Sequence, residues 1–451
     1  MLRTLLAACL LASSANAQGL TLREVQERAR QNDPRVQVAA AQVQNAQAKR
    51  DEVSAMAWFP TIELTSYVGG PTPERRLVLG DSDPDMRDLT PGSKCALCGE
   101  LGIQLHAELQ AIFPIYTFGK LSAGKAAAGH LVGATEALLD RERNQASFDA
   151  ARAYWGYQTA RNAGTSVDKI RSRLEEAKKT ADRLIKEESE QISKADRLKL
   201  DYLAEEIESM HASALKGRDL AITGMRILLG LKEGEPLPVA NQDLPDPPAV
   251  PALDEMLRRA FEKRPEVRAA EEAVRARAAQ VDLESARLFP DLGLVAGGVY
   301  TETTNASNPA SPFIYNPYHS FGPYVAIGLR GSFEIPQKLA RRRQAQADLS
   351  QAMALRRGAE QLVRLEVQQA IGDLQEARVK ADRYGKQAAI GKQLATQAAV
   401  SFDSGLGDAR ELLEDTLLFA RADGERLKAL LDAQMAWASL EKAVGVPLAD
   451  R

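Results

Sequence analysis

The sequence predicts a mainly α-helical protein with a small β part, built from one unit that occurs twice. The chain holds 21 prolines, yet none lies between Pro114 and Pro236 or between Pro336 and Pro447. Proline removes a backbone donor and clashes with the preceding turn, so such long tracts without it favour very long helices. The stretches outside these tracts are rich in helix breakers and alternate apolar with polar residues, which is typical of strands.

Residues 1–17 have the features of a secretory signal peptide. Arg3 provides a positive start, Leu5 to Ala12 an apolar stretch, and Ala15-Asn16-Ala17 a cleavage site of small residues. Lipoprotein-type cleavage before Cys9 is the alternative, but it leaves an apolar region shorter than the usual length of about 7–15 residues. We therefore expect an exported protein.

Composition and motifs exclude several classes of function. After the signal, no run of about 18 apolar residues occurs, so a passage through a membrane would have to use strands. The formal net charge of −3 gives no reason to expect nucleic acid as a partner. The four histidines are scattered, and no metalloprotease motif, phosphate-binding loop or catalytic constellation includes them. We expect no enzymatic activity, no cofactor and no metal site.

The mature chain would keep two cysteines, Cys95 and Cys98, in a stretch rich in glycine and proline. In an oxidising compartment the simplest expectation is a small disulfide between them. A metal site would need more ligands, and a thioredoxin-like redox motif would need to open a helix. Both alternatives have less support than a loop disulfide.

Apolar residues at alternating spacings of three and four mark the faces on which the long helices pack, as in coiled coils. A helix is expected from about Lys120 to Glu190 and a returning helix from about Ala195 to Leu229. Their predicted seams are Val167, Ile170, Leu174, Ala177, Ala181 and Leu184 on the first, and Leu200, Leu203, Ile207, Met210, Ala214, Gly217, Ala221, Gly224 and Leu228 on the second. A later seam comprises Leu413, Leu417, Ala420, Leu427 and Leu431.

Four strands are predicted, in two hairpins. Leu101 to Phe113 has apolar residues at every odd position, which gives one apolar and one polar face. Thr61 to Val68 and Tyr324 to Phe333 follow the same alternation less regularly, and Leu292 to Tyr300 is apolar and rich in glycine. The segment 70–99 between the first two strands, which is long and holds the cysteines, is interpreted as a loop.

The two halves of the chain repeat the same order of features. Leu22 to Val36 aligns with Leu253 to Val267, each predicting a short helix, a proline turn and a second helix. Phe-Pro marks the strand starts in both copies, and Ala153 to Arg161 aligns with Ala370 to Arg378 deep in the long helices. We therefore predict a first repeat over residues 18–250 and a second over 251–451.

Four strands cannot close a barrel, and an open sheet with an apolar face would leave unpaired edges in lipid. Closure therefore needs several copies of the chain. Three copies would supply twelve strands, enough to leave an open interior lined by the polar faces.

The order and duplication of these features resemble the TolC family of outer-membrane efflux proteins. The motifs that carry the resemblance are Asp33-Pro34, Arg264-Pro265, Phe113-Pro-Ile-Tyr116 before a long helix, and Ser401 to Asp408 at a late helix turn. The resemblance covers residues from about Leu20 to Leu448. It implies a TolC-like α/β-barrel: four strands and long coiled-coil helices per protomer, closed as a homotrimer into a 12-stranded β-barrel and an α-helical tunnel.

The resemblance also implies a function. Such proteins are outer-membrane channels of tripartite efflux or type I secretion systems, passive ducts that span outer-membrane lipid and the periplasm. Their partners are a periplasmic adaptor (membrane fusion) protein and an inner-membrane pump of the RND, ABC or MFS type. The alternative is a periplasmic coiled-coil adaptor or structural protein of an export complex, but an adaptor has one helical hairpin where this chain has two.

The turns between long helices are the candidate adaptor-contact tips. The resemblance places one at Gln191, Ile192 and Ser193, which has no glycine, and the other at Gly405, Leu406 and Gly407. Candidates for an acidic ring at the periplasmic aperture are Glu187, Glu190, Asp403 and Asp408, for which a solvated acidic surface is the alternative. Because the two tips differ, we expect one kind to hold the adaptor and the other to move when the duct opens.

Overall fold

The computed structural model describes residues 19–72, 75–77, 89–91, 102–187, 193–232, 234–304, 306, 316, 318–404, 406–407 and 409–448. The predicted signal peptide, Cys95 and Cys98 lie outside the described residues. Those that are described follow the predicted order of elements twice: two short helices, strands, a long helix and a returning helix.

Among the described residues, the four long helices occupy the proline-free tracts, and two shorter helices precede each pair of them. In the first half they are α1 (Leu22–Asn32), α2 (Pro34–Ala55), α3 (Lys120–Lys186) and α4 (Lys194–Leu229). In the second half they are α5 (Leu253–Lys263), α6 (Pro265–Ala286), α7 (Ile335–Asp403) and α8 (Ala409–Val444). Pro34 and Pro265 each occupy the first position of a helix, where the missing N–H has no partner to lose. No helix in the described part of the chain combines the length and apolar character needed to cross a membrane.

The chain divides into two compact units, each built from both halves of the sequence. One unit comprises residues 1–44, 133–272 and 354–451, and the other comprises residues 45–132 and 273–353. The first is helical in its described part, and the second holds the strands. The repeat boundaries at residues 18–250 and 251–451 remain a prediction.

The strand-bearing unit contains a four-stranded antiparallel sheet in the order β1, β4, β5, β6. Its strands are β1 (Thr61–Thr72), β4 (Gly102–Tyr116), β5 (Asp291–Thr303) and β6 (Ser320–Arg330). The two hairpins are therefore confirmed, and they join through β4 and β5. The interpretation of segment 70–99 as a loop is incomplete, because β2 (Arg75–Leu77) and β3 (Leu89–Pro91) pair there as a short antiparallel ladder.

The last strand differs from the prediction in extent. It ends at Arg330 rather than Phe333, and α7 begins at Ile335. The change of direction falls at Gly331, where a side-chain Cβ would lie 3.0 Å from the Cβ of Pro290. Arg330 pairs with Asp291, the first residue of β5, and the preceding Pro290 has no N–H with which to extend the ladder, so residues 331–333 do not continue the strand.

The predicted seams pack into the core of the helical unit, although of the later seam only Leu427 is fully buried. All of the α3 seam residues from Val167 to Ala181 are buried, and so are Leu200, Leu203 and Ile207 on α4. Further along α4 the buried residues are Met225 and Leu229 rather than the predicted Gly224 and Leu228. A straight helix drifts about 20° per heptad relative to a strict 3.5-residue repeat. Over roughly four heptads that drift amounts to about one residue position, which accounts for the shift.

Candidate functional site

The structure describes part of each candidate tip. Glu187 and Ser193 lie at the first tip, and Asp403, Leu406 and Gly407 at the second. Their roles in adaptor contact or in the aperture remain predictions. The other candidates fall outside the described residues: Gln191, Ile192, Glu190, Gly405 and Asp408.

Helix α4 begins after the first tip with a capping box. Ser193 Oγ accepts a hydrogen bond from the backbone N–H of Asp196 at 3.2 Å, and Asp196 accepts one from the backbone N–H of Ser193 at 3.1 Å. Lys199 lies 2.8 Å from the same carboxylate. The hydrogen bond from Lys199, followed by those from Ser193, lowers the pKa of Asp196 to about 2. The stability that this carboxylate contributes is therefore present above its unfolded pKa and is lost only as the pH falls through about 2.

A ladder of ion pairs joins α3 to α4 above this tip. Each step along α3 away from the tip is matched by an equal step along α4, as expected for an antiparallel hairpin. The ion pairs are Asp182–Arg197 at 2.8 Å, Lys178–Asp201 at 3.2 Å and Arg171–Glu208 at 2.7 Å, and His211 lies 3.4 Å from Asp168 in the same register. Single exposed pairs contribute little, typically about 0–1 kcal/mol, but several in one register favour one alignment of the two helices.

The second tip is built around Gly407. The backbone N–H groups of Leu406 and Gly407 both donate to the carbonyl oxygen of Ser401, each at 2.9 Å, which closes the end of α7. Phe402 is buried in the core below, whereas Leu406 is 88% exposed at the turn. An exposed leucine on a closed turn is a compact apolar surface that a partner could cover.

Gly407 leaves no room for a side chain. A Cβ there would lie 2.8 Å from the backbone nitrogen of Phe402 and 2.9 Å from the carbonyl carbon of Ser401. Neither contact is to a flexible side chain, so the backbone of the turn would have to shift. Of the glycines that the sequence shows at this tip, Gly407 therefore has a steric reason to be glycine.

We expect Gly407→Ala to open the second tip locally, at a cost of about 1–3 kcal/mol, because overpacking forces the backbone apart. Hydrogen exchange of the amides of Leu406 and residue 407 should speed up while the rest of α7 and α8 stays protected. Gly424→Ala is the matched control, because nothing lies within 4 Å of a Cβ at that site in α8. Equal exchange in both variants would contradict the steric role of Gly407.

The helices of the second tip are joined differently from those of the first. Several ion pairs in this region run along one helix at i, i+4 spacing: Glu376–Lys380, Asp382–Lys386 and Arg410–Glu414. Between the helices, Gly391 of α7 packs on α8, where its Cβ would lie 3.1 Å from the Cα of Phe419. This contact relies on close backbone approach rather than on a charge ladder.

The sheet has one apolar and one polar face, as the alternation predicted. The register places the apolar residues of neighbouring strands side by side, for example Leu64 beside Leu109. We call the first surface the apolar face; its exposed large side chains include Ile62, Leu64, Val68, Ile103, Leu105, Leu109, Val325, Ile327 and Leu329. A soluble sheet would cover such a surface with a helix or a second sheet.

The opposite surface, the polar face, carries hydrogen-bonded side chains. Tyr67 stacks on His106 with ring centroids 4.8 Å apart, and His106 Nδ1 lies 3.1 Å from Thr301 Oγ1. The neighbouring rows hold Glu63, Gln110 and further polar residues at matched register. Among the described residues, no group of three or more His, Cys, Asp or Glu side chains could hold a metal ion.

Aromatic residues cluster where the strands meet the helices. Phe118 stacks on Phe289 with centroids 5.4 Å apart, and Tyr116 contacts Phe118 at 4.7 Å. Trp58 and Phe333 at the same end of the sheet are 74% and 91% exposed. Sequence reasoning used these residues only as markers of strand starts, although aromatic residues that flank an apolar strand face are a signal of a membrane interface.

Comparison with known proteins agrees with this architecture. The family described as "Outer membrane efflux protein" matches residues 256–446. No curated protein matches the chain at the level of sequence.

Solved structures match over almost the whole chain. The outer-membrane channel OprN is 20% identical with a TM-score of 0.72, covering 94% of this chain and 89% of that chain. The open-state MtrE outer-membrane channel of Neisseria gonorrhoeae is 18% identical with a TM-score of 0.73, covering 95% and 90%. VceC of Vibrio cholerae is 16% identical with a TM-score of 0.71, covering 94% and 96%. With a family match in the second half and this fold along nearly the whole chain, the resemblance to the TolC family of outer-membrane efflux proteins is confirmed.

Proposed function

We propose that three copies of this chain form an outer-membrane duct of a tripartite efflux or type I secretion system. The observation that carries the proposal is the sheet: its apolar face is exposed, and its outer strands β1 and β6 each pair on one side only within the described chain. An exposed apolar face and unpaired strand edges both favour association of the molecule with other surfaces. Neighbouring copies would pair the edges and lipid would cover the apolar face.

The dimensions of the strands support this arrangement. A strand needs about 9–11 residues to cross a bilayer at the usual tilt, and β1, β4, β5 and β6 have 12, 15, 13 and 11. The aromatic residues at one end of the sheet would then lie at the periplasmic boundary of the membrane. The helical unit would form the periplasmic tunnel, and the tips at Ser193 and Gly407 would meet the adaptor.

The difference between the two tips supports different duties. The hairpin of α3 and α4 is aligned by a ladder of ion pairs, whereas α7 and α8 meet through a close glycine contact. We propose that the first hairpin holds its shape against the adaptor and that the second moves when the duct opens. Asp403, at the end of α7 and exposed, is a candidate for the aperture.

Fractionation tests the proposed function directly. The full chain, expressed in a Gram-negative host, should be recovered from the outer-membrane fraction as trimers that dissociate only on heating. The runner-up, a periplasmic adaptor or structural protein, would instead give a soluble protein in the periplasm. Recovery of a soluble monomer would end the channel proposal.

Two neighbouring residues of β1 test which face meets lipid. Leu64 is on the apolar face and Thr65 on the polar face, and both are exposed in the isolated chain. We expect Leu64→Lys to cost about 2–4 kcal/mol, the usual cost of a lysine near the middle of the membrane. Thr65→Lys would face water and should be near neutral.

The measurement is the yield of heat-modifiable trimer for each variant at equal expression. A large loss for Leu64→Lys and none for Thr65→Lys is the expected result. If Thr65→Lys is the variant that loses trimer, the assignment of the two faces is reversed.

A further inference from the structure

The polar face contains a tyrosine whose side chain lies across a neighbouring strand. One row of the sheet runs Glu63, Gln110, Gly297, Tyr324 through all four strands. A Cβ at Gly297 would lie 2.8 Å from both Cζ and Oη of Tyr324. The tyrosine ring therefore occupies the space above Gly297, and only glycine lets it lie there.

Crossing Gly297 brings the hydroxyl of Tyr324, on β6, to side chains of β4. Gln110 Nε2 donates to Tyr324 Oη at 3.1 Å, and Tyr324 Oη donates to Glu108 Oε1 at 3.0 Å. A hydroxyl has a single proton, so this arrangement commits it to the carboxylate. Glu108 is thus held in place by a residue that lies 216 positions away in the chain.

Among the described residues, no lysine or arginine lies on this face in the row of Glu108 or in the rows on either side of it. Glu63 in the adjacent row is also acidic, and His106 precedes Glu108 on the same face. Beyond the row of Thr61, Ile112, Val295 and Ala326, the next charged residues lie at the end of the sheet: Asp291 and Arg330, which pair in the register of β5 and β6, and Lys120, which lies 2.7 Å from Asp291. Within the described strands, the middle of the polar face therefore presents negative charge.

We propose that Glu108, positioned by Tyr324 across Gly297, gives the strand-lined part of the duct a preference for cations. The inference rests on the proposed channel function, because it needs the polar face to line water. Three copies would set three such carboxylates at one level of the duct. Rings of acidic side chains select cations, and the low-dielectric wall of a narrow passage strengthens their field.

Tyr324 is a positioning residue in this proposal. Tyr324→Phe keeps the ring above Gly297 and removes only the hydroxyl, so the sheet should assemble as before. Glu108 would lose its anchor and could turn away from the axis of the duct. The effect on selectivity should be smaller than that of removing the charge itself.

The test uses purified full-length trimers in planar bilayers under a KCl gradient, with the reversal potential as the readout. We expect cation preference in the unaltered protein. The K⁺/Cl⁻ permeability ratio should fall roughly twofold or more in Glu108→Gln and by less in Tyr324→Phe. Glu334→Gln is the matched control, because it removes the same charge from an exposed site after β6; its ratio should not change.

The outcomes separate the two proposals. In one outcome, the trimers conduct with the same K⁺/Cl⁻ permeability ratio in the unaltered protein, in Glu108→Gln and in Glu334→Gln. That result would overturn the role of Glu108 and leave the channel function standing. If Glu108→Gln does not assemble, an unchanged ratio in Tyr324→Phe overturns the positioning role. Purified protein that forms no conducting pores would overturn the channel function together with this inference.

Discussion

Arg264→Ala is expected to lower the free energy of unfolding by about 3 kcal/mol, the low end of the range for breaking a buried ion pair. Arg264 ends the first helix of the second repeat, and its side chain is only 4% exposed. It binds Glu266 at 3.0 Å and also Glu366 on α7. Alanine would leave two carboxylates without their cation. Glu366 keeps 38% of its side chain exposed, which limits the cost.

Chemical denaturation of the detergent-solubilised trimer would measure this effect. Arg259→Ala serves as the control, because Arg259 lies on the same helix α5 and pairs with Glu255 while both side chains remain more than 40% exposed. An exposed pair contributes about 0–1 kcal/mol. If the two variants unfold alike, burial of Arg264 does not matter for stability in the way the structure indicates.

The first repeat builds the same kind of ion-pair network with its charges in another order. Arg35 binds Asp33 at 2.7 Å and Asp149 on α3 at 2.8 Å. Asp149 and Glu366 stand at equivalent places, four residues before Ala153 and Ala370 of the aligned segments. In both repeats, one arginine thus binds two carboxylates. One carboxylate lies on the other side of the proline of the turn, and the other belongs to the long helix.

The position of the arginine differs between the repeats. It precedes the proline in the second repeat, as Arg264, and follows it in the first, as Arg35. Burial of Asp33 favours its neutral form, but hydrogen bonds from Arg35 and the charge of Arg35 outweigh burial and lower the pKa of Asp33. Its contribution to stability is therefore present above the unfolded pKa and is lost as the pH falls through the lower folded value.

Sequence reasoning predicted the elements of this fold because each depends on local chemistry. The absence of proline predicted α3 and α7, and alternation predicted the hairpins of the sheet, since both patterns act over neighbouring residues. The duplication made the order of the elements predictable, because the second half of the chain repeats the features of the first. The seam of α4 shifts by one position to Met225 and Leu229. Predicting this shift requires the true helical period rather than a strict heptad repeat.

The interactions that sequence reasoning missed join residues far apart in the chain. Arg35 and Asp149 are separated by 114 positions, and Arg264 and Glu366 by 102. The aligned turns showed only Asp-Pro in one copy and Arg-Pro in the other, so their common role was hidden by the exchanged charges. Tyr324 likewise reaches Gln110 only because the register of three strands brings them together.

Exchanging the charges of the first turn tests whether the two networks are equivalent. Asp33→Arg alone would place a second arginine beside Arg35 in a site where residue 33 is only 2% exposed. We expect it to lower the free energy of unfolding by about 3–5 kcal/mol, as for a buried charge without its partner. The double variant Asp33→Arg with Arg35→Glu would rebuild the order Arg-Pro-Glu that the second repeat has beside Glu366.

The double variant should therefore recover most of the lost stability, although each single change is destabilising. Such non-additivity is the mark of residues that act as one network, and a double-mutant cycle measures it. Its readouts are the denaturation midpoint and the yield of heat-modifiable trimer. Arg50→Glu with Asp51→Arg is a matched control, because that adjacent pair on α2 is at least 41% exposed on both side chains and its exchange should change little. Additive losses at positions 33 and 35 would show that the two turns only look alike, since rebuilding the second network in the first repeat would then bring no gain.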